Sequence, residues 1–136
     1  KSAWVFGPRM IIESMQKLMG RSETARTTIL GEGRERLHIS AVADITEAEW
    51  QDGMLTFRMA FPEGEQGIVL IANSSRPNEV HVDGRPTPET KDIVAADASS
   101  WHYDEANAYL AVRVAAPSQT RVRIEDVAFR SVTRVQ

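Results

Sequence analysis

The chain has 136 residues, of which 42% are hydrophobic, and this size suits one domain around one hydrophobic core. Its 16 basic and 19 acidic residues give a formal net charge of -3, which leaves no positive excess for a nucleic acid partner. The absence of cysteine excludes disulfides and thiolate metal sites. The longest apolar runs, such as residues 68–72, are far shorter than the roughly 20 residues that span a bilayer, so we expect no membrane span.

The N-terminal segment has the pattern of a helix. Pro8 stands near its start, Gly20 ends it, and apolar residues lie at positions 11, 12, 15, 18 and 19. We therefore predict a helical segment over residues 1–23 that packs on the sheet of a β-sandwich domain over residues 24–136. The chain begins at Lys1 and has no signal-peptide pattern, and we expect it to be excised from something longer.

Beyond Gly20 the apolar period changes to about two residues, which predicts strands. Two strands surround the Gly31 to Gly33 turn, and the Asp52-Gly53 turn signal precedes a half-buried strand over residues 55–61. Residues 68–72 are apolar without alternation, which predicts a central strand that is covered on both faces.

The second half of the chain continues this pattern. We predict a short hairpin at Asp83-Gly84, a long irregular stretch over residues 85–99, and a hairpin whose turn is residues 104–107. A strand over residues 120–124 and a last edge strand over residues 127–129 follow. Eight to ten strands with frequent turns predict a mainly β fold, a two-layer antiparallel β-sandwich of jelly-roll or immunoglobulin-like type.

No catalytic residue is predicted. The carboxylate pairs Glu63 with Glu65 and Asp104 with Glu105 lie in turns, where solvent keeps both groups ionised, whereas an acid catalyst needs a raised pKa. There is no Gly-x-Ser-x-Gly nucleophile motif and no phosphate-binding glycine-rich loop. We therefore expect no cofactor and no enzyme activity in this chain itself.

No metal site is predicted either. The three histidines, at positions 38, 81 and 102, each occupy an alternate strand position, and none has a second His or Cys at metal-binding spacing. Zinc becomes conceivable only if two of them meet on one sheet face. The loop aspartates could offer oxygen ligands to calcium, but their spacing does not support a site: Asp83, Asp92, Asp97 and Asp104.

Aromatic side chains are the remaining candidates for ligand contact, because sugar rings stack on exposed aromatic faces. Trp50 precedes a turn, while Trp101, Tyr103 and Tyr109 lie on one predicted hairpin. We predict Trp101, Tyr103, Tyr109 and Asp97 as ligand-binding residues. The alternative is that Trp101 and Tyr103, which share a strand face, belong to the core.

Three segments of the chain also carry a family pattern. They are residues 76–84 with Val80, Val82 and Gly84, the Trp101-His102-Tyr103-Asp104 run, and the strand from Tyr109 to Val114. Their order resembles the β-sandwich domains that follow the catalytic barrel in glycoside hydrolases, notably the C-terminal domains of the α-glucosidase and α-xylosidase superfamily. The resemblance implies a structural domain that packs on a barrel, with the catalytic acids outside it.

Two functions follow from these patterns. The first is a non-catalytic structural or interaction domain of a larger glycan-processing protein, whose partner is a neighbouring domain or a second copy in a homo-oligomer. The domain would be held by one sheet face and by the apolar helix face that Met10, Ile11, Met15 and Leu18 form. In isolation such a domain would expose an apolar patch. The second is an autonomous carbohydrate-binding module with a glycan ligand, which needs exposed aromatic side chains in a groove, Asp92, Asp97 or Asn107 being available for hydroxyl contacts. The compartment is undetermined, with an extracytoplasmic location slightly favoured.

Overall fold

The computed structural model describes residues 26–62, 67–115 and 119–131, and all regular structure in these ranges is β. The ten strands are β1 (Arg26–Glu32), β2 (Glu35–Ala41), β3 (Asp44–Gln51), β4 (Met54–Ala60), β5 (Ile68–Ala72), β6 (Glu79–Val82), β7 (Arg85–Pro86), β8 (Ser100–Asp104), β9 (Tyr109–Arg113) and β10 (Gln119–Glu125). The predicted helical segment, residues 1–23, lies outside the described residues. No helix in the described part is long and apolar enough to cross a membrane.

The strands form two antiparallel sheets of five. Sheet A has the order β1-β2-β5-β9-β8 and sheet B has the order β3-β4-β10-β6-β7. Each sheet consists of two hairpins joined by one single strand, which is β5 in sheet A and β10 in sheet B. The middle of each sheet is therefore a strand whose partners on both sides are distant in sequence.

Two of the hairpin turns follow directly from Asp-Gly pairs. The φ angles are 54° and 78° at Asp52 and Gly53, and 52° and 80° at Asp83 and Gly84. Positive φ at both central residues defines the tight turn that matches the natural twist of a hairpin, and Asp-Gly is a preferred pair for it. The predicted turns at 52–53 and 83–84 are confirmed.

The core lies between the two sheets. Alternate residues of β4 (Leu55, Phe57, Met59) are buried, and their neighbours point outward. Residues of β2, β9 and β8 in sheet A join residues of β4, β6 and β10 in sheet B in one apolar cluster. The alternation in the sequence therefore reports a real inward face, and the predicted β-sandwich is supported by this shared core.

Strand β5 is buried at every position, as the unbroken apolar run predicts. It is the third of five strands in sheet A, so the predicted central position is confirmed. Its inward residues, Val69 and Ile71, belong to the main core, while Leu70 faces a second cluster on the outside of the sheet. Ile93, from the long loop after β7, packs in that outer cluster and covers the face.

One predicted strand is absent from the structure, and one observed strand is not predicted by the sequence. Residues 127–129 do not form an edge strand, because Phe129 makes only an isolated bridge to Ser74. Conversely, β3 was not predicted as a strand. Its apolar alternation is interrupted by a register shift between Thr46 and Glu49, with Glu47 at a φ of 52°, so a bulge disguises the period.

Candidate functional site

The predicted aromatic cluster is divided between the two faces of sheet A. Trp101 and Tyr103 are 7% and 3% exposed and belong to the main core. The indole Nε1 of Trp101 donates to the carbonyl oxygen of Thr87 at 3.2 Å, and the Tyr103 hydroxyl donates to that of Ser74 at 2.6 Å. Both polar atoms are thus satisfied internally, and neither ring offers an open face for a sugar. Trp101 and Tyr103 thus belong to the core, which is the alternative that their shared strand face left open in the sequence.

A charged network lies against these two rings. The guanidinium carbon of Arg76 lies 5.8 Å from the Trp101 ring centre and 5.6 Å from the Tyr103 ring centre. Arg76 also donates to Glu89 at 2.9 Å and to Glu105 at 3.2 Å, and hydrogen bonding to these glutamates raises the pKa of Arg76. The cation therefore contacts both aromatic rings as well as the two glutamates.

Tyr109 and Asp97 remain accessible. Tyr109 is half-buried and packs against the outer apolar cluster that contains Ile93. Burial, and then the neighbouring Asp104 carboxylate, raise the pKa of Tyr109. Asp97 is exposed in the loop that follows β7. Sugar contact by Tyr109 or Asp97 stays a prediction. The rings of Trp101 and Tyr103 do not lie on the same open surface, because they are buried in the core.

A different aromatic residue lines an open groove. Trp50, at the end of β3, lies in a groove of about 690 Å³ together with Glu32, Arg34, Glu35 and Asp52. The Trp50 Nε1 donates to the carbonyl oxygen of Val127 at 3.1 Å, which fixes the ring, and Gly31 packs closely against its Cζ3 edge. An anchored aromatic side chain that lines a groove beside carboxylate and guanidinium groups is a suitable contact for a hydroxyl-rich ligand.

A second groove, of about 410 Å³, lies on sheet B. Its lining is dominated by charged groups, including Asp44, Glu47, Arg58, Asp83 and Arg121. Several of them already pair, since Arg58 approaches Glu47 at 3.6 Å and Asp83 accepts from the backbone of Arg121 at 3.0 Å. This groove has no aromatic lining residue.

The carboxylates singled out in the sequence mostly have structural partners. Asp104 accepts from the backbone and side-chain nitrogens of Asn107 at 2.9 and 3.2 Å, which closes the turn between β8 and β9. Glu105 accepts from Arg76 and Arg130 at 3.2 and 3.3 Å, and Asp92 accepts from the backbone of Ala95 at 3.1 Å. Glu63 and Glu65 lie outside the described residues. Asp104 and Glu105, which form the described carboxylate pair, thus take part in a turn and in ion pairs.

The three histidines lie in separate surroundings. His38 is on β2, and burial, then the positive charge of Arg36, lower its pKa. His102 on β8 contacts the carbonyl oxygen of Thr90 through Nδ1 at 3.1 Å. His81 on β6 is 9% exposed, and its Nε2 lies 2.8 Å from a Glu79 carboxylate oxygen and 3.3 Å from a Glu125 one.

The Glu79, His81 and Glu125 cluster was missed in the sequence. Glu79 and His81 do share a strand face by alternation, which was a readable signal. Glu125 joins them only because β10 pairs with β6 in the register that opposes Glu125 to Glu79. Such a register between distant strands is not encoded in any local spacing.

No family model matches the chain, and no curated protein matches it. Two solved structures share its fold. One is a cycloalternan-forming enzyme from Listeria monocytogenes in complex with a pentasaccharide substrate, at 14% identity and a TM-score of 0.51. The other is an uncharacterised protein from the same organism, at 14% identity and a TM-score of 0.50.

The extent of both matches is the same. Each covers 78% of this chain and 10% of the other, so the chain spans about a tenth of the structures it resembles. At this identity the likeness concerns the fold alone. A sandwich of this kind therefore occurs as a small part of a large enzyme that acts on a saccharide.

Proposed function

We propose that this chain is a non-catalytic accessory β-sandwich domain of a larger glycan-processing protein. The observation that carries the proposal is its match to about a tenth of an enzyme that binds a pentasaccharide. The order of the segments 76–84, 101–104 and 109–114, which resembles domains of the α-glucosidase and α-xylosidase superfamily, supports the same role.

The chemistry of the described residues supports a non-catalytic role. Asp104 and Glu105, the described carboxylate pair weighed for glycoside hydrolysis, are engaged in a turn and in ion pairs. General acid catalysis needs a carboxyl group whose surroundings disfavour ionisation. Asp104 instead receives two hydrogen bonds from Asn107, which close the turn between β8 and β9.

A second function is favoured by one observation, the groove beside Trp50. In this alternative the chain binds carbohydrate itself, with Trp50 giving the apolar contact and Glu32, Glu35 and Asp52 accepting hydrogen bonds from sugar hydroxyls. This differs from the Trp101 and Tyr103 platform expected from the sequence, because those two rings lie in the core.

One experiment separates the two functions. The purified chain is titrated with linear and cyclic α-linked gluco-oligosaccharides by calorimetry, while release of reducing sugar is followed on the same ligands. The tested variant is Trp50→Ala, and Tyr109→Ala is its matched control on the other predicted contact.

The outcomes are distinct. No sugar release and no binding heat supports the accessory domain with a packing role. Saturable binding supports the binding module: a loss of at least tenfold in Trp50→Ala places the sugar in the groove, whereas the same loss in Tyr109→Ala places it at the β8-β9 hairpin. Release of reducing sugar by the chain alone would contradict both.

A further inference from the structure

The outer face of sheet B carries a histidine between two glutamates. In β6, Val80 and Val82 point to the core, so Glu79 and His81 point outward, and in β10 the same alternation turns Glu125 outward. The pairing of β6 with β10 sets Glu79 opposite Glu125 and His81 opposite Arg123. Three side chains with metal-binding atoms thus converge from two hydrogen-bonded strands.

Their distances suit a small divalent ion. One donor atom from each of the three side chains lies within 4.8 Å of the other two. A tetrahedral zinc ion with ligands at about 2.0 to 2.2 Å holds its ligand atoms about 3.4 Å apart. His81 Nε2 and Glu125 Oε2 are already 3.3 Å apart, whereas Glu79 Oε1, at 2.8 Å, must move outward by about 0.6 Å. The Glu79 side chain is 52% exposed, so it has room for that movement.

The charges of the cluster favour a cation. Carboxylates directly opposite each other on neighbouring strands repel. Arg123 approaches Glu125 at 3.4 Å, but Glu79 has no arginine partner among the ion pairs of the described residues. A divalent ion between the two carboxylates would offset their repulsion and link β6 to β10 through coordinate bonds.

The ligand types select the ion. One imidazole nitrogen with two carboxylate oxygens matches the zinc preference for nitrogen and oxygen donors, whereas calcium and magnesium prefer oxygen alone. His81 is nine-tenths buried, so its ring cannot turn away freely, and its Nδ1 is buried without a partner in the described part of the chain. A ligating histidine commonly donates from its second nitrogen, so the missing acceptor should weaken the binding of the metal by about 10- to 100-fold.

We propose that Glu79, His81 and Glu125 bind one zinc ion, which fastens the β6-β7 hairpin to the central strand of sheet B. Three protein ligands leave a fourth position for water on the solvent side. The inference does not depend on the proposed function, because it concerns only the binding of a metal to the folded domain.

The test is a titration of the chelator-treated chain with zinc chloride in a buffer free of phosphate, followed by calorimetry and by thermal unfolding. One zinc per chain is expected, with a rise in melting temperature, and calcium chloride should produce neither. Glu79→Gln should raise the dissociation constant at least tenfold and abolish the rise in melting temperature. His81→Asn should abolish binding, and Glu125→Gln serves as the decisive second variant if His81→Asn does not fold.

The controls are matched by residue type. His102→Gln alters a histidine on the other sheet, and Glu49→Gln alters an exposed glutamate on β3, so both should bind zinc as the unaltered chain does. Absence of zinc binding at millimolar concentration would overturn the proposal. Binding that survives unchanged in both Glu79→Gln and Glu125→Gln would overturn it as well, because zinc would then occupy other groups.

Discussion

The hydroxyl of Tyr103 donates a hydrogen bond of 2.6 Å to the carbonyl oxygen of Ser74, and this contact joins an edge strand to the end of a central one. Ser74 is fully buried directly after β5, and its backbone nitrogen donates to Ala108 in the turn between β8 and β9. Arg130 donates to the same Tyr103 hydroxyl at 2.8 Å. Segments from three parts of the chain therefore meet at one phenol group.

Removal of this hydroxyl should destabilise the domain. Tyr103→Phe leaves the ring in the core but takes the donor away from the Ser74 carbonyl, which should lower the free energy of unfolding by about 1 to 3 kcal/mol. Urea unfolding followed by circular dichroism measures the change. Tyr109→Phe, on the outer face of the same sheet, is the control and should cost less. Equal costs for the two variants would mean that the Ser74 bond contributes no more than the interaction of Tyr109 with Asp104.

Truncation of Trp101 should act on stability rather than on ligand binding. Trp101→Ala opens a cavity in the main core and should lower the free energy of unfolding by about 3 to 5 kcal/mol. Trp101→Phe keeps part of the ring volume and should cost less. Chemical unfolding gives both values. A stable Trp101→Ala variant with weakened sugar binding would instead restore the aromatic platform that the hairpin sequence suggested.

Gly31 and Gly33 should differ sharply when each is replaced by alanine. Both have positive φ, 108° and 63°, but a Cβ on Gly31 would lie 2.2 Å from the Glu35 carbonyl oxygen and 3.1 Å from the Trp50 ring. A Cβ on Gly33 meets nothing within 4 Å. Gly33→Ala should cost about 1 to 2 kcal/mol from backbone strain alone, and Gly31→Ala should cost clearly more. The melting temperatures of the two variants measure this difference in stability. Equal melting temperatures would contradict the close packing at Gly31.

Stability should fall at acidic pH because of His38. Burial, and then Arg36, lower the pKa of His38 in the folded state below its ordinary value of 6.5. Protons then bind more readily to the unfolded chain, so stability is lost as the pH falls below about 6.5 and levels off once the folded-state pKa is passed. Unfolding free energies between pH 4 and pH 8 measure this loss.

Two variants isolate the cause of the pH dependence. His38→Gln should reduce the loss of stability below pH 6.5, since it removes the titrating ring. Arg36→Gln removes only the smaller cause of the lowered pKa of His38. The loss of stability at acidic pH should therefore remain, but over a narrower pH range. A His38→Gln profile identical to that of the unaltered chain would assign the acid sensitivity to other groups.

Much of the fold was readable because its signals are local. The alternation of Leu55, Phe57 and Met59 identifies β4, and the Asp52-Gly53 and Asp83-Gly84 pairs identify their turns. Strand β3 could not be recognised from the sequence because its bulge at Glu47 breaks the alternation of apolar residues. The order of strands in each sheet could not be read, because β5 and β10 choose their neighbours through contacts between distant residues.

The candidate sites were less readable for a related reason. Alternation correctly places Trp101 and Tyr103 on one face, but it does not say whether that face meets solvent or the opposite sheet. The two residues become core because sheet B covers them. In the same way, no local sequence pattern predicts that Glu125 lies near His81 or that a groove lies between Trp50 and the β1-β2 turn.

The central position of β10 imposes an order on the formation of sheet B during synthesis. The hairpins β3-β4 and β6-β7 leave the ribosome well before residues 119–125, yet neither hairpin has a neighbour in its sheet until that strand arrives. Both hairpins thus wait with unpaired inner edges, and such edges readily pair with other chains. A nascent chain that stalls before residue 119 therefore holds most of the domain sequence and none of sheet B beyond its separate hairpins.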